Sequence, residues 1–551
     1  MKKLTSRLLL LGGILGVFQP LATNAGDFYK DLQTKAIADQ KAEFGHWGVD
    51  PEKYTQWRSH SNRLIPVYTF GTLGAGEGVD LNSYMGENSP YRQEGAIRRL
   101  YGRLPENTLN PEANYLDQTN VYDLQMAASK AGKKHIFLVI FDGMDWPTTR
   151  LAAIAATKKI PYTEGRGSGL HFLDYQAGGT TQYGYMVTSP HNEGTDVNVD
   201  TQTLLNPGGT MFGGYNAKLA GATPWAHVDQ LEYLIAKSKN GPDKHAYTDS
   251  SSSASSMTAG IKTYNNSVNV DASGHLVLTA AHRLQEQGWK VGAVSSVPIS
   301  HATPAAAYSH NVHRDDYQDL TRDMIGRPSI AHPERPLPGL DVVVAGGYGS
   351  VKQSARAQGE NFIPGNVYLA DVDLFAVDQQ RGGKYVTSVR ESGVDGSAAL
   401  EEAAERAAAG GHRLLGFYGV GEYSGHLPFQ TANGDYKPAP GNKGVAESYS
   451  EADLFENPTL SEMTAAAIQV LAKTDKPFWL MVESGDVDWA NHDNNIDNSI
   501  GAVHSGDAAI KTITDWVEAN SNWNESLLIV TADHGHLLVV EKEELLVEPA
   551  E

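Results

Sequence analysis

The sequence predicts an α/β fold: a doubly wound, mainly parallel sheet flanked by helices, with insertions. From about residue 131 onward, short apolar runs of the kind found in strands buried on both faces alternate with segments of helical composition. Such alternation is typical of parallel strands joined by crossover helices. The 551 residues leave room for a large sheet domain and for sizeable insertions.

The predicted elements follow one another along the chain. The apolar runs that we interpret as strands cover residues 135–141, 290–297, 341–345, 413–418, 478–482 and 527–531. The segments that we interpret as helices cover residues 278–287, 398–409, 461–473 and 507–519. Thr459 and Glu462 form a capping-box pattern in front of the third of these helices. A short helix is also expected at residues 254–262, where its N-terminal N–H groups would favour a bound phosphate.

Polar residues follow three of the predicted strands. Asp142 follows the first strand, Glu483 the fifth, and Asp533 with His534 the last. In open α/β sheets ligands bind outside the carboxyl ends of the strands, so these side chains are expected at one edge. Ser250 begins a run of four serines, and a serine hydroxyl needs a base or a metal ion to act as a nucleophile. Taken singly, each feature reads as a turn, a polar loop or a flexible linker; together they predict a serine nucleophile beside metal ligands.

Longer motifs resemble those of the alkaline phosphatase family. Asp249-Ser250, continued by Gly260-Ile261-Lys262-Thr263-Tyr264-Asn265, resembles the family's nucleophile segment. Asp142-Gly143-Met144 resembles its first metal-binding loop, residues 483–492 its acidic metal loop and residues 531–536 its second zinc motif. His301-Ala302-Thr303-Pro304 with Arg314 resembles the segment that carries a magnesium ligand and the phosphate-clamping arginine. The resemblance covers about residues 134–538 in the family's order.

The resemblance implies two zinc ions and one magnesium ion. It assigns Asp488 and His492 to the first zinc, Asp142, Asp533 and His534 to the second zinc beside Ser250, and Glu483, Thr303 and a second oxygen of Asp142 to magnesium, with His301 in the magnesium-site segment. Carboxylate and hydroxyl oxygens suit Mg²⁺, whereas mixed imidazole and carboxylate ligands suit Zn²⁺. By the same resemblance, Arg314 holds two phosphoryl oxygens through its planar guanidinium group, and Asp249 orients that arginine.

Three positions are less plainly assigned. His301 and Trp489 stand where the best-known enteric bacterial enzyme has an aspartate and a lysine, and the pair resembles the marine, cold-adapted branch of the family. Trp489 is equally well explained by core packing. His536 is interpreted as a hydrogen-bond partner of a zinc-site carboxylate or as a solvated strand residue.

One expected ligand is missing from the pattern. Members of the family place a third histidine ligand of the first zinc well beyond the Asp-His pair, yet the last histidine here is His536. Three explanations are open: the sequence is truncated, another group completes the site, or the first zinc binds weakly.

The composition bears on partners and on redox chemistry. A formal net charge of -21 at pH 7 argues against nucleic-acid binding, which needs clustered Lys and Arg. The chain has 0 Cys, which excludes thiolate metal sites and disulfides. After the N-terminus no apolar run is long enough for a membrane span. The expected partners are small phosphate monoesters, with the protein acting as a homodimer or a monomer.

The N-terminus has the pattern of an export signal. Basic residues at positions 2, 3 and 7 precede an apolar stretch at 8–17, and small residues follow at 23–25. We expect residues 1–25 to be a signal peptide cleaved before Gly26, and the mature protein to be periplasmic or secreted. Residues 26–130 are predicted to form an N-terminal extension and residues 131–551 the catalytic domain, with an insertion at about 158–246.

The function that the resemblance implies is hydrolysis of phosphate monoesters through a phosphoserine on Ser250. One alternative is a phosphodiesterase or sulfatase of the same superfamily, but the Lys262-Thr263-Tyr264-Asn265 continuation and Arg314 favour the monoesterase. A second alternative is a catalytically silent metal- or phosphate-binding protein, which the missing histidine would explain.

Overall fold

A ten-stranded sheet forms the centre of the molecule in the computed structural model, which describes residues 27–236 and 245–550. The predicted signal peptide lies outside the described residues. The strands of the sheet, in chain order, are β1 (Ile65–Phe70), β2 (Leu116–Asp117), β3 (His135–Phe141), β4 (Gln182–Val187), β5 (Lys290–Pro298), β6 (Val342–Gly346), β7 (Tyr385–Val389), β8 (Arg413–Phe417), β9 (Phe478–Ser484) and β10 (Ser526–Thr531).

The sheet is mostly parallel. Its spatial order is β7-β8-β6-β5-β9-β3-β10-β1-β4-β2. Every neighbouring pair is parallel except the two pairs that involve β1, which runs antiparallel to both β10 and β4. The α/β fold class predicted from the sequence is therefore confirmed.

Two groups of helices flank the sheet. The helices are α1 (Phe28–Asp39), α2 (Glu94–Tyr101), α3 (Thr119–Lys130), α4 (Trp146–Thr157), α5 (His171–Asp174), α6 (Ala217–Ala220), α7 (Leu231–Ile235), α8 (Ser250–Ala259), α9 (Ala280–Glu286), α10 (Ala302–Ala306), α11 (Tyr317–Ile325), α12 (Asp371–Val377), α13 (Gly396–Gly410), α14 (Glu451–Phe455), α15 (Leu460–Leu471), α16 (Asp486–His492) and α17 (Ile496–Asn520). In one group α13, α15, α17 and α4 pack in succession; in the other, α3, α8, α9 and α10 pack together.

The predicted strands agree closely with those observed, whereas the last predicted helix, residues 507–519, is only the second half of α17 (Ile496–Asn520). All six predicted strands are present, and their ends differ by no more than two residues. The capping box of Thr459 and Glu462 is formed at the start of α15. Helix α8 starts at Ser250 rather than at residue 254, because the Asp249 carboxylate caps the helix by accepting a hydrogen bond from the N–H of Ser252 at 3.0 Å.

The segment before residue 131 contributes directly to the sheet. β1 lies between β10 and β4, with Val67 paired to Thr531 and Phe70 to Leu528. Because β1 is antiparallel, its N-terminal end lies beside the carboxyl ends of the parallel strands. A short ladder in front of it, in which His60 pairs with His536, ties the chain to the same edge. The strand β4, within the predicted insertion, also belongs to this sheet.

Across the part of the chain that the structure describes, no helix combines the length and apolar character needed to cross a bilayer.

Candidate active site

Ser250 lies at the N-terminus of α8, facing the loops that follow the parallel strands. Its Oγ lies 3.1 Å from Nε2 of His534 and 3.5 Å from Oδ1 of Asp142. All three residues are buried. The serine hydroxyl therefore lies against an imidazole and a carboxylate supplied by the ends of two neighbouring strands.

The first of two clusters of potential metal ligands at this site lies beside the serine. Asp142, Asp533 and His534 place one ligand atom each within 4.8 Å of one another. Nε2 of His534 lies 3.2 Å from Asp142 Oδ1 and 3.4 Å from Asp533 Oδ2. Asp533 Oδ1 accepts a hydrogen bond from the N–H of Gly143 at 3.0 Å, whereas its Oδ2 is buried without a hydrogen-bond partner. A buried carboxylate oxygen without a partner is a costly arrangement that a cation would satisfy.

A second cluster is formed by four residues from distant parts of the chain: His60, Asp488, His492 and His536. The carboxylate of Asp488 is its centre. Asp488 Oδ1 lies 2.7 Å from Nε2 of His536, 3.4 Å from that of His492 and 3.5 Å from that of His60. Asp488 and His492 both lie on α16, one helical turn apart, so both side chains reach the same point.

The hydrogen bonds of two of these histidines fix their tautomers. Nδ1 of His60 lies 2.9 Å from the carbonyl oxygen of Thr248, and Nδ1 of His492 contacts the carbonyl oxygen of Arg58. A carbonyl can only accept, so each Nδ1 carries a hydrogen, and in the neutral imidazole each Nε2 then has a free lone pair. The two Nε2 atoms are 3.2 Å apart beside Asp488. Two imidazole lone pairs and a carboxylate that converge in this way suit a metal ion, with carbonyl groups orienting both rings.

His536 has a different position in this cluster. Its Nε2 lies at the short hydrogen-bond distance of 2.7 Å from Asp488 Oδ1, so it donates to that oxygen. Its Nδ1 is buried without a partner. Its side chain is buried and contacts the carboxylate of Asp488. This agrees with the interpretation of His536 as a hydrogen-bond partner of a carboxylate and not with that of a solvated strand residue.

The residues expected at a third metal site lie close to the first cluster. Thr303 Oγ1 lies 3.5 Å from Asp142 Oδ2, whereas Oδ1 of the same carboxylate contacts Ser250. Glu483 Oε2 accepts a hydrogen bond from Ser295, and its Oε1 is buried without a partner. The ring of His301 packs edge-to-face against that of Trp489, with ring centroids 5.5 Å apart. Its Nδ1 is also buried without a hydrogen-bond partner.

Arg314 and Asp249 form an ion pair beside the nucleophile. Nη1 of Arg314 donates to Oδ2 of Asp249 at 2.9 Å, and the arginine side chain is 14% exposed. Burial acts to raise the pKa of Asp249, but Arg314 and the N–H of Ser252 hold it below its ordinary value. The guanidinium group is thus held beside Asp249, which caps the helix terminus that carries Ser250.

The electrostatics show an excess of buried negative charge. Burial, together with Asp488, raises the pKa of Asp142 to about 7. Burial and Asp142 raise the pKa values of Glu483 and Asp533 well above the ordinary range. Asp488 differs: burial acts to raise its pKa, but His492 and His536 hold it well below its usual value. The three carboxylates with raised pKa values, Asp142, Glu483 and Asp533, are stabilised either by protons or by nearby cations, and metal ions would supply that positive charge.

Sequence reasoning missed His60, Ser295 and the backbone oxygens that orient the histidines. His60 precedes the β-branched and aromatic run of β1, which is a strand signal. Had β1 been recognised as an antiparallel member of the sheet, a histidine in front of it would have been expected at the ligand edge.

Comparison with known proteins places the chain in a family. The sequence model described as alkaline phosphatase matches residues 211–543, which is more than half of the chain and includes Ser250 and Arg314 but neither His60 nor Asp142. Alkaline phosphatase of Escherichia fergusonii is 30% identical over 313 residues, 55% of this chain and 61% of that protein. Alkaline phosphatase 4 of Bacillus subtilis is 26% identical over 295 residues, 53% of this chain and 50% of that protein.

The matched part therefore spans about half to three fifths of the length of these relatives. A solved structure of a cold-active alkaline phosphatase from a psychrophilic Shewanella species aligns with 73% of this chain and 68% of its own at 19% identity and a TM-score of 0.42. On the extent of the family match, the chain belongs to the alkaline phosphatase family.

Proposed function

We propose that this protein hydrolyses phosphate monoesters through a phosphoserine on Ser250, assisted by two zinc ions and one magnesium ion. The observation that carries the proposal is the convergence of Ser250, at a helix N-terminus, with two metal-ligand clusters and an arginine. A helix N-terminus favours a bound phosphate, because its free N–H groups and dipole attract negative charge.

The reaction requires two displacements at phosphorus. Ser250 Oγ forms a bond to phosphorus while the bond to the alcohol leaving group breaks, which gives a phosphoserine; the serine hydroxyl loses its proton, and the alcohol departs after taking one up. Water then attacks the same phosphorus, the Ser250 oxygen departs, and inorganic phosphate is released. Arg314 holds two phosphoryl oxygens in both steps, and its bond to Asp249 keeps the guanidinium plane in position.

The chemistry of the donor atoms fits the expected metals. The cluster of Asp142, Asp533 and His534 and the cluster centred on Asp488 both combine imidazole with carboxylate, as zinc prefers. Glu483, Thr303 and Asp142 supply oxygen atoms, as magnesium prefers. When bound, these ions supply positive charge that stabilises the serine alkoxide and the departing oxygen and that activates water.

We further propose that His60 is the third protein ligand of the first zinc, with Asp488 and His492. It takes the part that the family assigns to a histidine beyond the Asp-His pair. Its lone pair faces that of His492 at 3.2 Å, and its ring stacks on that of His534 with centroids 3.6 Å apart. The alternative of a silent binding protein rested on a missing histidine, and with His60 as the third ligand that argument no longer applies.

The test is the turnover of 4-nitrophenyl phosphate by the purified protein, compared with bis(4-nitrophenyl) phosphate and 4-nitrophenyl sulfate. We expect monoester turnover well above diester and sulfate turnover, loss of activity with a chelator, and recovery with zinc and magnesium. Faster diester or sulfate turnover would favour the other members of the superfamily. Phosphate binding without turnover at any metal concentration would overturn the proposal.

Export is part of the same proposal. Residues 1–25 have the charge and apolar pattern of a signal peptide, and a periplasmic or secreted enzyme would meet phosphate esters outside the cytoplasm. N-terminal sequencing of the mature protein tests it, with Gly26 as the expected first residue.

A further inference from the structure

A third cluster of metal-binding side chains lies outside the candidate active site. It consists of His310, Asp323 and His332, whose ligand atoms lie within 4.8 Å of one another, and it shares no residue with the other two clusters. His310 follows α10, Asp323 lies on α11, and His332 lies in the segment between α11 and β6. The cluster therefore joins three separate parts of the chain.

Hydrogen bonding leaves His310 with a lone pair aimed at His332. Nε2 of His310 lies 2.9 Å from the carbonyl oxygen of Val277, which can only accept, so Nε2 carries the hydrogen. Burial lowers the pKa of His310 to about 4, so the ring is neutral, Nδ1 has no hydrogen, and it lies 3.0 Å from Nε2 of His332. Two zinc-bound imidazole nitrogens, each at about 2.0–2.1 Å from the metal, lie about 3.3 Å apart in tetrahedral geometry.

The carboxylate of Asp323 completes the set. Its Oδ2 lies 3.9 Å from Nε2 of His332. The N–H of His310 donates to Oδ2 at 3.0 Å, and the hydroxyl of Ser329 donates to Oδ1 at 2.6 Å, which fix the orientation of the group. Such support is typical of carboxylates that bind metal ions.

Asp323 is fully buried, and its charge is not neutralised by a basic side chain. Throughout residues 27–236 and 245–550, neither lysine nor arginine forms an ion pair with it, and the imidazole of His332, 3.9 Å away, has its pKa lowered by burial, which favours its neutral form. Burial raises the pKa of Asp323 to about 8, in line with an uncompensated carboxylate. A buried carboxylate is stabilised by a proton or by a cation, and two imidazole nitrogens at the same point favour a metal ion.

We propose that His310, Asp323 and His332 bind an additional divalent transition-metal ion, best matched by zinc, with water in the fourth position. The side chain of His332 is 15% exposed, so solvent reaches this part of the cluster. The bound ion would fasten the segment between α11 and β6, residues 326–341, to the end of α11. The role is structural, and it is independent of the proposed phosphatase activity.

The zinc content of the full-length mature protein tests this proposal. Wild type, His332→Gln and Asp323→Asn are saturated with zinc and magnesium, desalted and measured by elemental analysis. His227→Gln is the matched control, because His227 is an exposed histidine beside Asp229 in none of the three clusters. We expect each cluster variant to lose one zinc per chain, with kcat/KM changed by less than about twofold, and the control to retain the wild-type content.

Anomalous diffraction at the zinc edge gives a second, direct measurement. The proposal predicts a peak about 2.0–2.2 Å from His310 Nδ1, His332 Nε2 and Asp323 Oδ2. A peak here in a protein that fails to turn over monoesters would support this site while contradicting the proposed function. Unchanged zinc content in His332→Gln and Asp323→Asn, or no anomalous peak in zinc-saturated wild type, would show that His310 and His332 form a simple hydrogen bond and would overturn the proposal.

Discussion

Nε2 of His60 lies 3.2 Å from Nε2 of His492, although 432 positions separate the two residues in the chain. Two structural features bring them together. β1 runs antiparallel within the sheet, so the residues before it lie at the ligand edge, and His60 pairs there with His536. A segment far from the family's motifs thus supplies a side chain to the centre of the site.

This relationship predicts a graded effect of substitution. His60→Gln removes the proposed third ligand, so we expect a loss of first-zinc affinity greater than the 10- to 100-fold that is typical of losing a supporting hydrogen bond, about 10²-fold or more. His536→Gln, which changes a side chain that contacts Asp488, should cost only about 10- to 100-fold. Zinc titration of the chelated proteins, followed by activity, measures both. Equal wild-type affinity in the His60 variant would remove His60 from the ligand set.

The nucleophile can be tested against a serine of the same helix. Ser250→Ala should lower kcat by about 10³-fold or more while leaving the fold intact, because no other hydroxyl replaces the attacking atom. Ser256→Ala is the control: its hydroxyl only donates to the carbonyl oxygen of Ser252 within α8. Steady-state kinetics and circular dichroism decide the matter. A Ser250 variant with near wild-type turnover would refute the assignment.

Much of this arrangement could be predicted from the sequence, for a specific physical reason. Strands buried on both faces leave apolar runs that are visible without a structure, and the carboxyl-end rule then places Asp142, Glu483 and Asp533 at one edge. His60 was not predicted as a site residue because its position depends on the direction of β1 in the sheet, which the local sequence does not encode. Helix α8 begins earlier than predicted, at Ser250 itself, because the side chain of Asp249 caps its N-terminus.

The arginine clamp makes a prediction about geometry rather than charge. Arg314→Lys keeps the positive charge but loses the planar pair of donors, so kcat/KM should fall by about 10- to 100-fold, the equivalent of one charge-assisted hydrogen bond. Asp249→Asn should have a smaller effect in the same direction, because the guanidinium loses its fixed orientation. Arg327→Lys, at an arginine that pairs with Asp373 away from the site, should leave kinetics unchanged. An Arg314→Lys enzyme with unaltered kcat/KM would exclude a bidentate clamp.

Gly143 follows Asp142 and lies against both clusters of potential metal ligands, so its substitution should be unusually costly. Its φ is +75°, and a Cβ would lie 2.9 Å from the ring of His536 and 3.0 Å from Cα of Asp488. Gly393 has the same φ of +75° with nothing within 4 Å of a Cβ. Gly393→Ala should therefore cost only the backbone term, about 1–2 kcal/mol of unfolding free energy. Gly143→Ala adds steric displacement of Asp488, so we expect about 1–3 kcal/mol more and weaker zinc binding. Urea unfolding and zinc titration of both variants measure the difference, and equal costs at the two glycines would show that the loop can move without disturbing Asp488.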